Sequence, residues 1–168
     1  MTDTASFRFP KTTSTTHRVV AHFIEVGVNH SEIHNKVYDA NRFERIKLVG
    51  VALNNLKVIE HLNTAYITLS QQELDTFGHQ KGDTEGLVNY GLSIKGIKFA
   101  AIFIENKENG IIKISLRSKG DFDVNQLARE HFHGGGHQNA AGGKSMLSLE
   151  KTVEKFENLI QTLKSNLA

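Results

Sequence analysis

The sequence predicts an α/β protein in which helices flank a mixed β-sheet, and three observations lead to that class. Apolar residues recur at helical spacing in residues 11–56 and again at the end of the chain. The middle of the chain is rich in β-branched residues, as strands are. Two of these apolar strands, "IKFAAIFIEN" and "IIKISLRSK", are joined by "KENG", in which Asn109-Gly110 suits a tight hairpin turn.

The N-terminal part predicts three helices and no strand. The first lies in "TTSTTHRVVAHFIEVG", where threonines can cap the start and Gly27 can end it. The second lies in "HSEIHNKVYDA" and the third in "NRFERIKLVGVALNNL". Helices with apolar faces need a partner to bury them, and these residues include no sheet. We therefore expect the strands that they cover to lie outside this chain, as if the sequence began too late.

Near residue 57 the residue pattern changes from helical spacing to segments rich in β-branched residues. A strand is predicted in "VIEHLNTAYITLS", and short helices in "QQELDTFG" and "DTEGLVNYGLSI", the latter capped by Asp83 or Thr84. The second hairpin strand alternates, so that one row faces the core and a polar row faces away. The core row comprises Ile112, Ile114 and Leu116, and the polar row comprises Lys113, Ser115 and Arg117.

Two more helices complete the predicted elements. In "DVNQLAREHF", Asp123 is the expected N-cap, and Gln126 three residues later resembles the partner in a capping box. In the last helix apolar residues alternate by four and three, from Leu149 to Leu167. This spacing favours a helix that covers the core, although a coiled coil that forms a homodimer would show the same pattern.

Composition excludes several classes of function. The net charge of the 168 residues is only +2, which is too small for a polybasic protein that coats duplexes through charge. The absence of cysteine removes disulfides, thiolate catalysis and cysteine-ligated zinc. No membrane span or signal peptide is recognisable, so we expect a cytoplasmic protein without a membrane partner.

The segment "HFHGGGHQNAAGG" is the most unusual in the chain, because three consecutive glycines cost much backbone entropy on folding. Three interpretations remain open. Gly134, Gly135 and Gly136 could form a plain tight turn. The flanking histidines could form a metal clip, although their spacing matches no closed zinc site. The glycine N–H groups could instead converge on a phosphate, with His137 as an additional donor.

The polar row of the hairpin strand favours the anion interpretation. Arg117 offers the bidentate geometry that suits phosphate, and Ser115, Ser118 and Lys119 could act as further donors. No nucleophile or general base with an orienting partner accompanies them. The pattern therefore indicates a site that binds a phosphorylated ligand rather than one that cleaves it.

The block "SLRSKGDFDVNQLAREHFHGGGHQNAAGG", with "DTEGLVNYGLSIKGIKFAAIFIE" upstream, resembles the substrate-binding domain associated with DHH-family phosphoesterases. The branch that it resembles most is that of the bifunctional oligoribonucleases and pAp phosphatases. The opening "TDTASFRF" is similar to the last metal-ligand motif of the catalytic DHH domain, with Ala5 in place of the usual glycine.

The resemblance implies a division of labour. Asp3 would be one ligand of a two-metal manganese site, whose other ligands lie in motifs that these residues lack. Substrate phosphates and sugar, from short RNA or pAp, would be held by Ser115, Arg117, Ser118, Gly134, Gly135, Gly136 and His137. Residues 1–38 would be the end of the catalytic domain, 39–56 a connector helix and 57–168 the associated domain. Without an Asp-His-His triplet, the chain alone is expected to be inactive.

A second hypothesis assigns no catalysis to the protein. Related associated domains also occur outside nucleases, so the chain could be a non-catalytic module that binds nucleotides or RNA ends. The two hypotheses differ in whether the protein containing this chain turns its ligand over.

Overall fold

The computed structural model describes Thr4, Ser6, Phe7 and residues 12–163, and the chain divides into two compact units after Arg42. The first unit, Met1–Arg42, contains two helices. The second, Phe43–Ala168, contains a six-stranded mixed sheet with helices on both faces. The predicted α/β class is confirmed.

The described residues of the first unit form α1 (Ser14–Glu25) and α2 (His30–Tyr38). Both helices were predicted from apolar spacing, and both start at side-chain caps. Thr13 forms a reciprocal capping box with Thr16, and the Asn29 side chain accepts from the Glu32 N–H. No residue of either helix is buried.

The second unit contains five helices and six strands. In chain order they are α3 (Phe43–Asn54), β1 (Lys57–Ile59), β2 (Thr64–Leu69), α4 (Gln71–Thr76), α5 (Val88–Ser93), β3 (Phe99–Asn106), β4 (Ile111–Ser118), α6 (Val124–His131), β5 (Gly135–His137), β6 (Ala140–Ser145) and α7 (Leu149–Thr162). The strand order is β1-β2-β3-β4-β6-β5. Only β2 and β3 pair in parallel. The helix predicted as a connector, α3, packs into this unit through Leu48 and Ala52.

Each face of the sheet has its own apolar cluster. On one face, α6 and α7 cover β2, β3, β4 and β6, and the buried residues include Tyr66, Phe103, Leu116, Phe132 and Phe156. On the other face, α3, α4 and α5 cover β2 and β3, and the buried residues include Leu48, Ile67, Leu74, Val88 and Ile102. Strand alternation places Ile112, Ile114 and Leu116 in the first cluster, as predicted.

Two local predictions were wrong in detail. The strand expected in residues 58–70 is divided by a 3₁₀ turn at Glu60–Leu62 and a left-handed Asn63. Helix α5 begins only at Val88, without a side-chain cap, because the Asp83 carboxylate accepts from the Gln80 N–H instead. The predicted hairpin does form between β3 and β4, and its loop has a 3₁₀ turn at Lys107–Asn109 that ends in Gly110, with φ of 60°.

The last two helices follow the prediction more closely. The Asp123 side chain caps α6 by accepting from the Asn125 and Gln126 N–H groups. The capping box is not reciprocal, because the Gln126 amide donates to Glu130. Helix α7 covers the core, with Phe156 and Ile160 fully buried. Among the described residues, no helix has the length and hydropathy needed to cross a bilayer.

The Glu73 carboxylate links α3 to the start of α4. It accepts from the Asn55 amide at 2.8 Å and from both the N–H and the hydroxyl of Ser70 at 2.8 Å. Burial raises the pKa of Glu73, but the hydrogen bonds from Asn55 and Ser70 outweigh it, so the pKa is lowered overall. Ionised Glu73 therefore contributes stability above the ordinary carboxyl pKa, and this is lost as the pH falls through the lowered value.

We expect Glu73→Gln to lower the free energy of unfolding by about 1 kcal/mol at pH 7. At a second, acidic pH, below the lowered pKa of Glu73, the difference from wild type should shrink because the wild-type carboxylate becomes protonated. Urea unfolding at both pH values measures this, and Glu154→Gln on the exposed surface of α7 is the matched control. A difference that is independent of pH would contradict the role given to the Glu73 charge.

Candidate ligand-binding face of the sheet

One face of β4 and β6 carries the polar row predicted from the sequence. The register places Arg117 opposite Ala140 and Ser115 opposite Gly142. On the far side of β6, Ala140 pairs with His137 and Gly142 with Gly135. Two rows therefore cross three strands, Arg117–Ala140–His137 and Ser115–Gly142–Gly135. Since neighbouring strands lie about 4.8 Å apart, the ends of one row are about 10 Å apart.

Arg117 is the charged centre of this face. Its Nη1 donates to the carbonyl oxygens of Leu116, at 2.9 Å, and Ala141, at 3.5 Å. Partial burial lowers the pKa of Arg117, although a guanidinium remains charged at neutral pH. No carboxylate of the described part of the chain pairs with it. A partly desolvated cation without a counter-charge is costly, and an anionic ligand would remove that cost.

Ser118 and Lys119 have structural contacts. Ser118 is 7% exposed and lies on the opposite side of β4 from Arg117. Its hydroxyl donates to the Phe122 carbonyl at 2.6 Å and is within 2.9 Å of the Asn139 amide. The Lys119 ammonium donates to the Leu92 and Ile97 carbonyls, near the end of α5. Ser115, by contrast, shares its face of the sheet with Arg117.

The triple glycine leads into a hairpin at the edge of the sheet. The Gly134 N–H donates to the Ala128 carbonyl at 3.1 Å, and the Gly136 N–H donates to Asn125 Oδ1 at 2.9 Å. Two of the three N–H groups are thus used within the fold. The predicted cradle of three convergent N–H groups does not form in this conformation, because α6 takes two of them.

Close backbone packing explains three of the glycines. An alanine Cβ at Gly134 would lie 1.9 Å from the Gly142 carbonyl oxygen, and one at Gly136 would lie 2.5 Å from the Ala140 oxygen. At Gly143 it would lie 2.7 Å from the Phe132 oxygen. At Gly142, however, the nearest atom is the Ile114 oxygen at 3.4 Å, which is an ordinary contact. Packing therefore requires glycine at 134, 136 and 143 but not at 142.

Asn125 is a site residue that the sequence did not indicate. Its Oδ1 accepts from the Gly136 N–H at 2.9 Å and from Arg129 Nε at 3.0 Å. Asn125 therefore links the glycine segment to α6 and helps to fix the position of β5, which contains His137. Asparagine is common near helix N-termini, so nothing in the sequence distinguished Asn125 as a residue that binds the glycine segment.

The interpretation of the histidines as a metal clip lacks a set of converging ligands among the described residues. Among the described residues, no three side chains of the His, Cys, Asp and Glu types converge on one point. His133 is exposed, with φ of 46°, and His131 lies beside Glu130. Asp3, the ligand predicted for manganese, lies outside the described residues. The described residues therefore do not fit a two-metal centre.

One groove beside α6 lies away from this face. It has a volume of about 690 Å³ and is lined by residues of the α6 region, including Lys98, Asp121, Asp123, Gln126 and Glu130. The three carboxylates of its lining, those of Asp121, Asp123 and Glu130, outnumber the two lysines, Lys98 and Lys119, so the charge balance of the groove disfavours a phosphate. The open sheet face is therefore the candidate anion site.

The six-stranded mixed sheet with helices packed on both faces defines an α/β domain. Residues 61–168 match the DHHA1 domain family, and the chain belongs to that family. The resemblance to the associated domain of DHH phosphoesterases, nano-RNase type, is confirmed.

Individual proteins of known sequence or structure are similar to this chain. The chain is 32% identical over 140 residues to the bifunctional oligoribonuclease and PAP phosphatase NrnA of Bacillus subtilis. This match covers 83% of the present chain and 43% of the Bacillus protein. The Thermus thermophilus protein of the same name is 29% identical, with 92% and 45% covered. A solved exopolyphosphatase-related protein from Bacteroides fragilis is 39% identical with a TM-score of 0.94, covering 99% of this chain and 48% of that one. The chain thus spans less than half the length of each of these proteins.

Proposed function

We propose that this chain is the substrate-binding part of a DHH-family phosphoesterase that hydrolyses short oligoribonucleotides or pAp. The observation that carries the proposal is the partly buried Arg117, which has no carboxylate partner among the described residues. The names of the Bacillus and Thermus relatives, both oligoribonucleases and PAP phosphatases, supply the substrate class.

In this proposal the two rows of the sheet share the ligand. The Arg117 guanidinium pairs with a phosphate in a bidentate manner, and the Ser115 hydroxyl donates to a neighbouring oxygen or the ribose. His137, exposed at the sheet edge, contacts the ligand from the other end of the row. Gly134 and Gly136 contribute by shape, because they let β5 lie close to β6. The carbonyl contacts hold the guanidinium in place before the ligand arrives.

Hydrolysis is assigned to residues outside the described set. A pair of manganese ions, when bound, would activate water and stabilise the leaving oxygen. Asp3 is the residue of this chain proposed as a ligand to that pair. The sheet face described here orients the phosphodiester, and it offers no nucleophile or oriented general base.

Calorimetry of this chain with pAp and with a diribonucleotide, each with and without manganese, tests the proposal. We expect both ligands to bind without manganese, since Arg117 supplies the main charge, and no product to appear on chromatography. A preparation that binds neither ligand would contradict the proposed function. The alternative, a non-catalytic nucleotide-binding module, predicts the same binding, but also no turnover when the complete protein that contains this chain is assayed with manganese.

A further inference from the structure

A pair of lysines lies on the same sheet face, on the side of the Ser115 row away from Arg117. Lys113 on β4 and Lys144 on β6 are register partners, and both are exposed. Side chains directly opposite in an antiparallel pair approach to about 5 Å between Cβ atoms, so two ammonium groups there repel each other. Neither is paired with a carboxylate in the part of the chain that the structure describes.

The lysine pair is aligned with Arg117 along the strand. Lys113 and Arg117 are four positions apart in β4, which corresponds to about 14 Å at the rise of an extended strand. Ser115 and Gly142 occupy the row between them. Packing does not require glycine at Gly142, where a Cβ would make only one ordinary contact. The missing side chain leaves the floor between the two cationic positions open.

We propose that Lys113 and Lys144 form a second phosphate subsite, which binds the backbone of a single-stranded oligonucleotide whose other phosphate lies at Arg117. This inference rests on the proposed function of the Arg117 face. An anion between the two ammonium groups converts their repulsion into attraction. At the stacked rise of about 3.4 Å per nucleotide, 14 Å corresponds to about four steps from phosphate to phosphate. The outermost phosphodiesters of a tetranucleotide are two steps apart, so this ligand must be extended to reach both positions.

The subsite makes binding depend on ligand length. A compact ligand such as pAp places its phosphates at the Arg117 row and leaves the lysine pair unoccupied. An extended tetranucleotide reaches both positions and gains one phosphate contact, at the lysine pair. Each contact releases counterions, so the affinity for the longer ligand falls more steeply with salt, by about 0.7 in the logarithmic slope per phosphate.

The test compares wild type with Lys113→Ala/Lys144→Ala, using pAp and a tetraribonucleotide in fluorescence or calorimetric titrations over a salt series. We expect the double variant to bind the tetranucleotide about tenfold more weakly, with a salt slope smaller by about 0.7. Its affinity for pAp should change less than about twofold. Lys81→Ala/Lys151→Ala removes the same charge from exposed positions elsewhere and should leave both affinities unchanged.

A second variant tests the open floor. Gly142→Val places a β-branched side chain in the row between the subsites, and we expect it to weaken tetranucleotide binding while circular dichroism stays that of wild type. The inference is overturned if wild type binds both ligands and the lysine variant still binds the tetranucleotide equally tightly. It is also overturned if an acidic peptide of equal charge binds the lysine pair as tightly. If wild type binds neither ligand, the proposed function itself fails.

Discussion

Replacing Gly134 with alanine is expected to lower the free energy of unfolding by at least about 3 kcal/mol. The added Cβ would lie 1.9 Å from the Gly142 carbonyl oxygen and 2.6 Å from the Gly143 Cα. Both are backbone atoms of β6, so no side chain can rotate to make room. The hairpin of β5 and β6 would have to separate, at the cost of the Gly134 hydrogen bond to Ala128. Urea unfolding followed by circular dichroism measures the effect.

Gly142→Ala is the matched control for this prediction. It adds the same methyl group to the paired strand, where the nearest atom is 3.4 Å away. We expect a change within about 1 kcal/mol, since alanine also reduces the entropy of the unfolded chain. Equal destabilisation by the two substitutions would show that backbone proximity does not account for the glycines. A stable Gly134→Ala variant would contradict the packing described for β5.

Arg117→Met is expected to weaken the binding of pAp by about tenfold to a hundredfold, corresponding to roughly 1.5–3 kcal/mol for hydrogen bonds to a charged group. The free energy of unfolding should stay the same or rise. Methionine keeps much of the apolar stem, and its loss of charge removes an unpaired cation from a partly buried position. The affinity of Arg117→Lys for pAp should lie between those of wild type and Arg117→Met, because an ammonium keeps the charge but not the bidentate geometry.

Lys151→Ala on α7, on the other face of the sheet, controls for the loss of one positive charge. It should leave pAp binding unchanged. Wild-type affinity in Arg117→Met would refute the assignment of the phosphate to this residue. A large loss of stability would indicate that the guanidinium acts structurally, through its bonds to Leu116 and Ala141. Titration and unfolding of the same preparation separate these outcomes.

Much of the fold follows from local patterns. The apolar spacing of α1, α3 and α7, the Asp123 cap and the alternation of β4 each depend on neighbours within a few residues. Such signals are contained in the sequence itself. The start of α5 is different, because Asp83 bonds to Gln80 rather than to a helix N-terminus. Two local hydrogen bonds compete there, and the sequence does not decide between them.

The candidate site was predictable in its residue types but not in its assembly. Arg117 and Ser115 share a face by strand alternation, which the sequence shows. Ser118 was grouped with them, although it lies on the opposite side of the strand and bonds to Phe122. The rows that join Arg117 to His137 and Lys113 to Lys144 depend on the pairing of β6 with both β4 and β5. That pairing brings together residues about 20 to 30 positions apart.

The sequence by itself determined the fold class, most of the elements and the chemistry of the polar row, because helix and strand periodicity and residue charge are local properties. Only the tertiary structure decided what the triple glycine does. Glycine is required at Gly134 and Gly136 because the backbone of β6 lies against both residues. The Ala128 carbonyl and Asn125 Oδ1 accept hydrogen bonds from their N–H groups. Steric exclusion and hydrogen-bond partners depend on segments that meet only after folding, so no local pattern could show them.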